Sequence, residues 1–192
     1  SDERMWAEHV NFDLSQPDLA ELQRMVAESI AVKERIVAED PHEHGIRKAL
    51  NFGHTIGHAL EEFALQQAGG AVVSARLLPL ARARTAPKKR PLLHGYAVAF
   101  GLIGELYMSA RKAGFPTERL HQTARFIREN YAQTEFTCND YPTLLNLMRH
   151  DKKNTSGVIN FTLLHNIGDI RINQTATDEE IREALDFIRE GY

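Results

Sequence analysis

The stretch "RKALNFGHTIGHALEE", Arg47 to Glu62, decides how this chain is read. His54 and His58 stand four residues apart, a spacing that puts both side chains on one face of a helix. Such a face suits two ligands of a metal ion, or one ligand and one acid–base group. Gly53 and Gly57 each precede a histidine. Glycine within a helix costs about 1 kcal/mol relative to alanine, so two of them imply close approach of a ligand or of another helix. Arg47 and Asn51 fall one turn apart and one turn upstream. On one helix from about Ile46 to Ala64, the residues Arg47, Asn51, His54 and His58 form a polar stripe that faces a ligand. Two histidines at this spacing can also be plain surface groups; the glycines and the Arg/Asn neighbours favour a site.

Outward from this stretch the pattern stays helical. Residues 17–39 open on Pro17-Asp18 and carry Leu19, Leu22, Met25, Val26, Ile30, Val32 and Ile36 close to a period of 3.6, which predicts a long amphipathic helix. Pro41 and Gly45 punctuate a break after it. A helix is expected from about Leu93 to Ala113, ended by Gly114 with Pro116 beyond. Another is expected with Thr117 as its N-cap, and a further one from Asp140 to Met148. Then "GVINFTLLHNIGDIRIN" turns β-rich, with a turn signal at Asn166 to Asp169, and reads as a hairpin near residues 157–173. "TATDEEIREALDFIRE" closes the chain as a helix, with Thr177 as cap and Glu180 at the capping-box position. The expected class is mainly α, with one small β-hairpin.

At 192 residues the chain makes one domain, or one and a small part, and can bury a real core. A net charge of -3 gives no general argument for nucleic acid or an acidic membrane. No apolar run is long enough to span a bilayer, and no signal peptide is visible. Cys138 is the one cysteine and has no intramolecular partner, so a reducing cytoplasm fits best; it reads as a small core or surface residue. Residues 66–91 stand apart. They hold Arg76, Arg82, Arg84, Lys88, Lys89 and Arg90, no acidic residue and no sustained period. The segment reads as an atypical basic loop or insertion, either a surface loop or an arm for a polyanion.

Two further stretches carry chemistry. In "LLHGYAVAFGLIGELY", Leu92 to Tyr107, His94-Gly95 opens a helix whose small residues permit close packing. In "HDKKNTSG", residues 150–157, Lys152 and Lys153 precede a turn and a strand. Twin lysines are usually solvated, but beside a turn they can hold a phosphate.

In order, "GIRKALNFGHTIGHALE", "LLHGYAVAFGL" and "HDKKNTSGVINFTLL" resemble the C-terminal helical domain of the 3-dehydroquinate synthase family, within the wider group of sugar phosphate cyclases. The resemblance covers the chain apart from the basic segment. It implies that His54 and His94 bind a metal, zinc or cobalt. It implies that His58 is an active-site histidine touching the substrate, and that Arg47 and Asn51 bind substrate, Arg47 near its phosphate. Lys33 matches a substrate-binding lysine, Glu43 an acidic residue that orients the site, and Lys152 a lysine near the phosphate, in preference to Lys153.

The chemistry implied is conversion of 3-deoxy-D-arabino-heptulosonate 7-phosphate to 3-dehydroquinate and phosphate. NAD oxidises a hydroxyl, the ion stabilises negative charge on oxygen, phosphate leaves, and NADH returns its hydride before the ring opens and recloses by an aldol step. The family's NAD-binding domain lies N-terminal, and no Gly-rich phosphate loop occurs here. Its third metal ligand, a glutamate, is expected to fall before Ser1. Residues 66–91 separate His54 from His94 by more than the family's short link. The resemblance therefore implies a domain-sized piece without turnover of its own, from a protein that is commonly a homodimer. The competing readings are another sugar phosphate cyclase, or a non-catalytic helical module binding a polyanion through residues 76–90.

Overall fold

The computed structural model describes residues 2–76, 92–131, 135–151 and 158–191, with the backbone alone for 69–76. Helix α1 (Glu3–Val10) is followed by α2 (Leu19–Glu39), a 3-10 segment (Ile46–Asn51), α3 (His54–Arg76), α4 (His94–Lys112), α5 (Thr117–Asn130) and α6 (Tyr141–His150). Strands β1 (Asn160–Asn166) and β2 (Asp169–Thr175) form an antiparallel hairpin, and α7 (Asp178–Glu190) ends the fold. The mainly helical class with one hairpin is what the sequence predicts. None of the described helices is long and apolar enough to cross a membrane.

Helix α4 is the centre of the packing. It lies against α3, α5, α7 and β1. Its middle is buried on almost every side, from Ala97 through Phe100, Ile103 and Leu106 to Met108. Around it Ile56, Leu60, Leu144, Leu163, Ile181 and Leu185 are sealed from water. Each such side chain stabilises the fold by about 1.5–3 kcal/mol relative to exposure. The closest packing is between α3 and α4, and glycine makes it possible. A Cβ at Gly101 would sit 2.0 Å from the carbonyl oxygen of Gly53, and one at Gly57 would sit 2.9 Å from the Cα of Val98. The bulk missing beside His54 and His58 therefore serves the approach of a helix.

Local signals place several boundaries where the sequence puts them. The Thr177 amide donates to Glu180 Oε2 at 2.7 Å and the Glu180 amide to Thr177 Oγ1 at 3.2 Å, the reciprocal cap expected for α7. The hairpin turns between Asn166 and Asp169, with Gly168 at φ +80°. Strand β1 buries Phe161 and Leu163 and is tied to α4 where the Leu164 amide donates to Ser109 Oγ at 3.0 Å.

Other expectations change. The single helix from Ile46 to Ala64 is two elements. A 3-10 segment ends at Asn51, Gly53 turns the chain at φ +80°, and α3 begins at His54 and continues to Arg76. The first part of the 66–91 segment is thus helical, and residues 77–91 lie outside the described residues. Thr117 is the first residue of α5 rather than its cap; Pro116 holds the cap position without a side-chain bond. On α2 Met25 is buried and Val32 and Ile36 are half-buried, while Leu19, Val26 and Ile30 are exposed, so that part of its apolar stripe is not covered by other described residues. Helix α1 has no counterpart in the sequence reading. It is capped by Asp2, tied to α5 by Trp6 Nε1 donating to Thr123 Oγ1 at 3.0 Å, and joined to α2 through Arg4, Glu8, Arg24 and Glu28. Cys138 is exposed and unpaired.

Candidate metal centre

His54 opens α3, His58 follows one turn later, and His94 opens α4. The crossing of the two helices brings the three rings together. Ring centroids lie 5.3 Å apart for His54–His58, 5.6 Å for His54–His94 and 5.7 Å for His58–His94. One nitrogen from each lies within 4.8 Å of the others. Atoms that close share a point no more than about 2.8 Å from each, so closure by less than about 1 Å gives the Zn–N distance of about 2.1 Å. Imidazoles suit zinc, cobalt, copper and nickel. The donor set and its spacing fit a divalent ion.

The Nδ1 of each ring has a hydrogen-bond partner. His58 Nδ1 lies 2.8 Å from Asp151 Oδ2, His94 Nδ1 lies 2.9 Å from Glu61 Oε2, and His54 Nδ1 lies 3.1 Å from the carbonyl oxygen of Phe52. A carboxylate or a carbonyl only accepts, so each Nδ1 is the donor. The neutral ring then carries its lone pair on Nε2, the tautomer that a metal or a substrate proton requires. His54 and His58 are half-buried, and His94 is exposed. Sequence reasoning missed Asp151 and Glu61. Asp151 lies inside "HDKKN", and Glu61 lies one turn after His58 on the same helix; neither position announces that it will meet a histidine.

The polar stripe does not survive as one helical face, because the 3-10 segment and Gly53 turn Arg47 and Asn51 away from the axis of α3. What forms instead is a turn organised by Asp40. Its carboxylate accepts from the amides of His44 (3.0 Å), Gly45 (2.7 Å) and Arg47 (3.1 Å). These backbone donors, Gly45 foremost, hold the Asp40 carboxyl below its usual range. Within the turn, Asn51 Nδ2 donates to Glu43 Oε1 at 2.6 Å, and Arg47 donates from its guanidinium to the Pro41 carbonyl at 2.6 Å. Glu43 adopts φ +58°, a sparsely populated conformation for a non-glycine residue.

Glu43 and Asn51 line a polar pocket of about 430 Å³ with Lys48, Thr55, Asn160, Thr162 and Asn173. Lys48 is a cation there that the sequence reading did not single out; its Nζ donates to Asn173 Oδ1 at 3.0 Å. Lys33 is placed elsewhere. It is exposed on α2 and borders an apolar pocket of about 360 Å³ with Phe12, Leu22, Val26 and Tyr131. Lys152 and Lys153 lie outside the described residues. The structure thus groups His54, His58 and His94 in one cluster and Glu43 and Asn51 in another, with Arg47 on the turn between Asp40 and Asn51.

The fold is that of the helical domain of sugar phosphate cyclases. A 2-deoxy-scyllo-inosose synthase, solved with carbaglucose-6-phosphate, NAD+ and Co2+, superposes with a TM-score of 0.61 at 22% identity, covering 90% of this chain and 42% of that one. The 2-epi-5-epi-valiolone synthase of Streptomyces hygroscopicus, with NAD+ and Zn2+ bound, gives 0.55 at 20% identity, over 91% and 41%. Residues 1–78 and 83–154 match the family described as 3-dehydroquinate synthase C-terminal, and the chain belongs to it. The 3-dehydroquinate synthase of Parabacteroides distasonis is 50% identical over 181 residues, 94% of this chain and 45% of that protein. That of Symbiobacterium thermophilum is 33% identical over 175 residues, 90% of this chain and 42% of the other. The chain spans less than half the length of these curated relatives.

Proposed function

We propose that this chain is the metal- and substrate-binding part of a 3-dehydroquinate synthase, a lyase of aromatic amino acid biosynthesis that converts 3-deoxy-D-arabino-heptulosonate 7-phosphate to 3-dehydroquinate and phosphate. The observation that carries the reading is the convergence of His54, His58 and His94 at the starts of two packed helices. His54 and His94 hold the ion, zinc or cobalt. His58, fixed by Asp151, faces the substrate as the acid–base imidazole. When bound, a divalent ion polarises a substrate oxygen and stabilises negative charge on it.

The chain's own residues supply positioning. Arg47 offers a guanidinium to a phosphate once the Pro41 carbonyl releases it, and a planar fork suits that anion. Asn51 and Glu43 hold each other and present one polar edge to the sugar hydroxyls. Lys152, next to Asp151 in sequence, serves the phosphate; Lys33 is assigned to the substrate by the family resemblance alone, since on α2 it borders a separate apolar pocket. NAD is bound mainly by the remainder of the longer protein, so this chain by itself does not turn over. The protein works in the cytoplasm as a homodimer, with residues 66–91 as an atypical basic segment that begins within the last turns of α3.

The test is phosphate release from the intact protein that carries this segment, with NAD and zinc. The expected result is turnover of the seven-carbon sugar acid phosphate and none from the present chain alone. Turnover of a hexose 6-phosphate in its place moves the protein to another branch of the cyclases, and robust turnover by this chain alone overturns the division of labour.

A further inference from the structure

We propose that Glu105 is a positioning residue for the metal centre: it locks the first turn of α3, and with it His54, onto the helix that carries His94. The inference rests on the reading of His54 and His94 as metal ligands.

Glu105 is wholly buried in the middle of α4, where its neighbours are apolar or small. Its carboxylate reaches the start of α3. Oε2 accepts from the Gly53 amide at 2.7 Å, and Oε1 accepts from the amides of Thr55 at 3.1 Å and Ile56 at 3.4 Å. A helix start leaves its first N–H groups without intrahelical partners. They are ordinarily met by a Ser, Thr, Asp or Asn side chain just before the helix. Here the preceding residue is Gly53, which has no side chain to give, and the cap arrives from far along the chain. A negative group at this end is also favoured by the helix dipole.

The consequence is geometric. A local cap would fix α3 relative to its own preceding loop. A cap from α4 fixes it relative to α4. His54 is the first residue of α3, and His94 begins α4 about three turns before Glu105. The contacts at Gly53, Gly57 and Gly101 set how near the helices come. The three amide bonds set how far one slides along the other. Glu105 is itself held at the far side, where Ser109 Oγ donates to its carbonyl at 2.6 Å and accepts from the Leu164 amide of β1. Separation and register together determine whether His54 and His94 reach one ion.

The experiment is titration of the intact protein that carries this segment with cobalt(II) alone, read by visible absorption, with circular dichroism as the check on folding. Glu105→Gln keeps the volume and one accepting oxygen. Its expected effect is cobalt binding weakened about tenfold or more, the range for groups that orient metal ligands, with shifted visible bands in a folded chain. In a His54→Ala background the same change is expected to have no further effect on the residual binding. Where Glu105→Gln does not fold, Glu105→Asp, which keeps the charge and withdraws it by one methylene, is read in the same way. Unaltered affinity and bands in a folded variant overturn the proposal, as does an equal loss with and without His54. An intact parent protein that takes up no cobalt overturns the metal reading and this inference with it.

Discussion

His58 Nδ1 lies 2.8 Å from Asp151 Oδ2, which joins the second turn of α3 to the residue just after α6. Asp151 is the less exposed of the two, its side chain at 15% against 32% for His58. The pair that orients His94 is wetter: His94 is 55% exposed and Glu61 28%. Water competes for the second pair more than for the first, so the two carboxylates are not equivalent although their distances are alike.

Asp151→Asn is therefore expected to lower kcat of the intact protein by about 10–100-fold, with its bound metal retained. An amide can donate as well as accept, so it no longer fixes which nitrogen of His58 carries the proton. The pH–rate profile should shift along with the rate. Glu61→Gln should change zinc affinity within about fivefold, the limit for an exposed pair worth about 1 kcal/mol or less. Competition with a chromophoric chelator measures that affinity. Equal damage from the two substitutions contradicts the ranking.

His54→Ala and His58→Ala separate the roles within the cluster. Loss of His54 should strip zinc from the intact protein, read as metal per chain after dialysis. Loss of His58 should leave metal in place and lower kcat by about 10²–10⁴-fold, the usual contribution of a positioned acid–base group. If both variants lose metal alike, His58 is a third ligand and its acid–base role is wrong.

The sequence revealed those parts of the fold whose causes are local. Thr177 and Glu180 cap each other three residues apart, so α7 could be read from four letters. The break at Phe52–Gly53 could not. Gly53 turns the chain there at φ +80°, and the carboxylate that meets its amide comes from Glu105, fifty-two residues on. The exposed stripe of Leu19, Val26 and Ile30 on α2 has the same periodicity as a buried one, and periodicity alone does not say which faces are covered. At the site, His54 and His58 were legible as a pair from their spacing, and His94 only through the family resemblance. Their meeting depends on a helix crossing, and Asp151, Glu61 and Lys48 enter only through that tertiary geometry.

Gly101→Ala tests the helix contact beneath the site. In an ordinary helix interior this change gains about 1 kcal/mol. Here the new methyl would stand 2.0 Å from a backbone carbonyl oxygen and 2.7 Å from the Gly57 nitrogen, neither of which can rotate away. Overpacking should win, with a net loss of about 3 kcal/mol in urea unfolding. Gly95→Ala is the control: no atom lies near its Cβ position, so stability should hold or rise. A stabilised Gly101→Ala variant would mean that α3 and α4 sit farther apart than described.

The turn from Asp40 to Arg47 should loosen in acid. Its carboxylate accepts three amide bonds, led by that from Gly45, and its pKa is held below the usual 3.8. A depressed carboxyl contributes stability that is complete above the unfolded value and is lost as pH falls through the folded one. The amide resonances of His44, Gly45 and Arg47 should therefore move together as pH falls below 3.8. Asp40→Ala should reproduce the acid form at neutral pH, with faster amide exchange in the turn and a raised KM in the intact protein, since the turn presents Glu43 and Arg47. No common movement of those amides below pH 3.8, or an unchanged KM, would show that the turn is held by something other than Asp40.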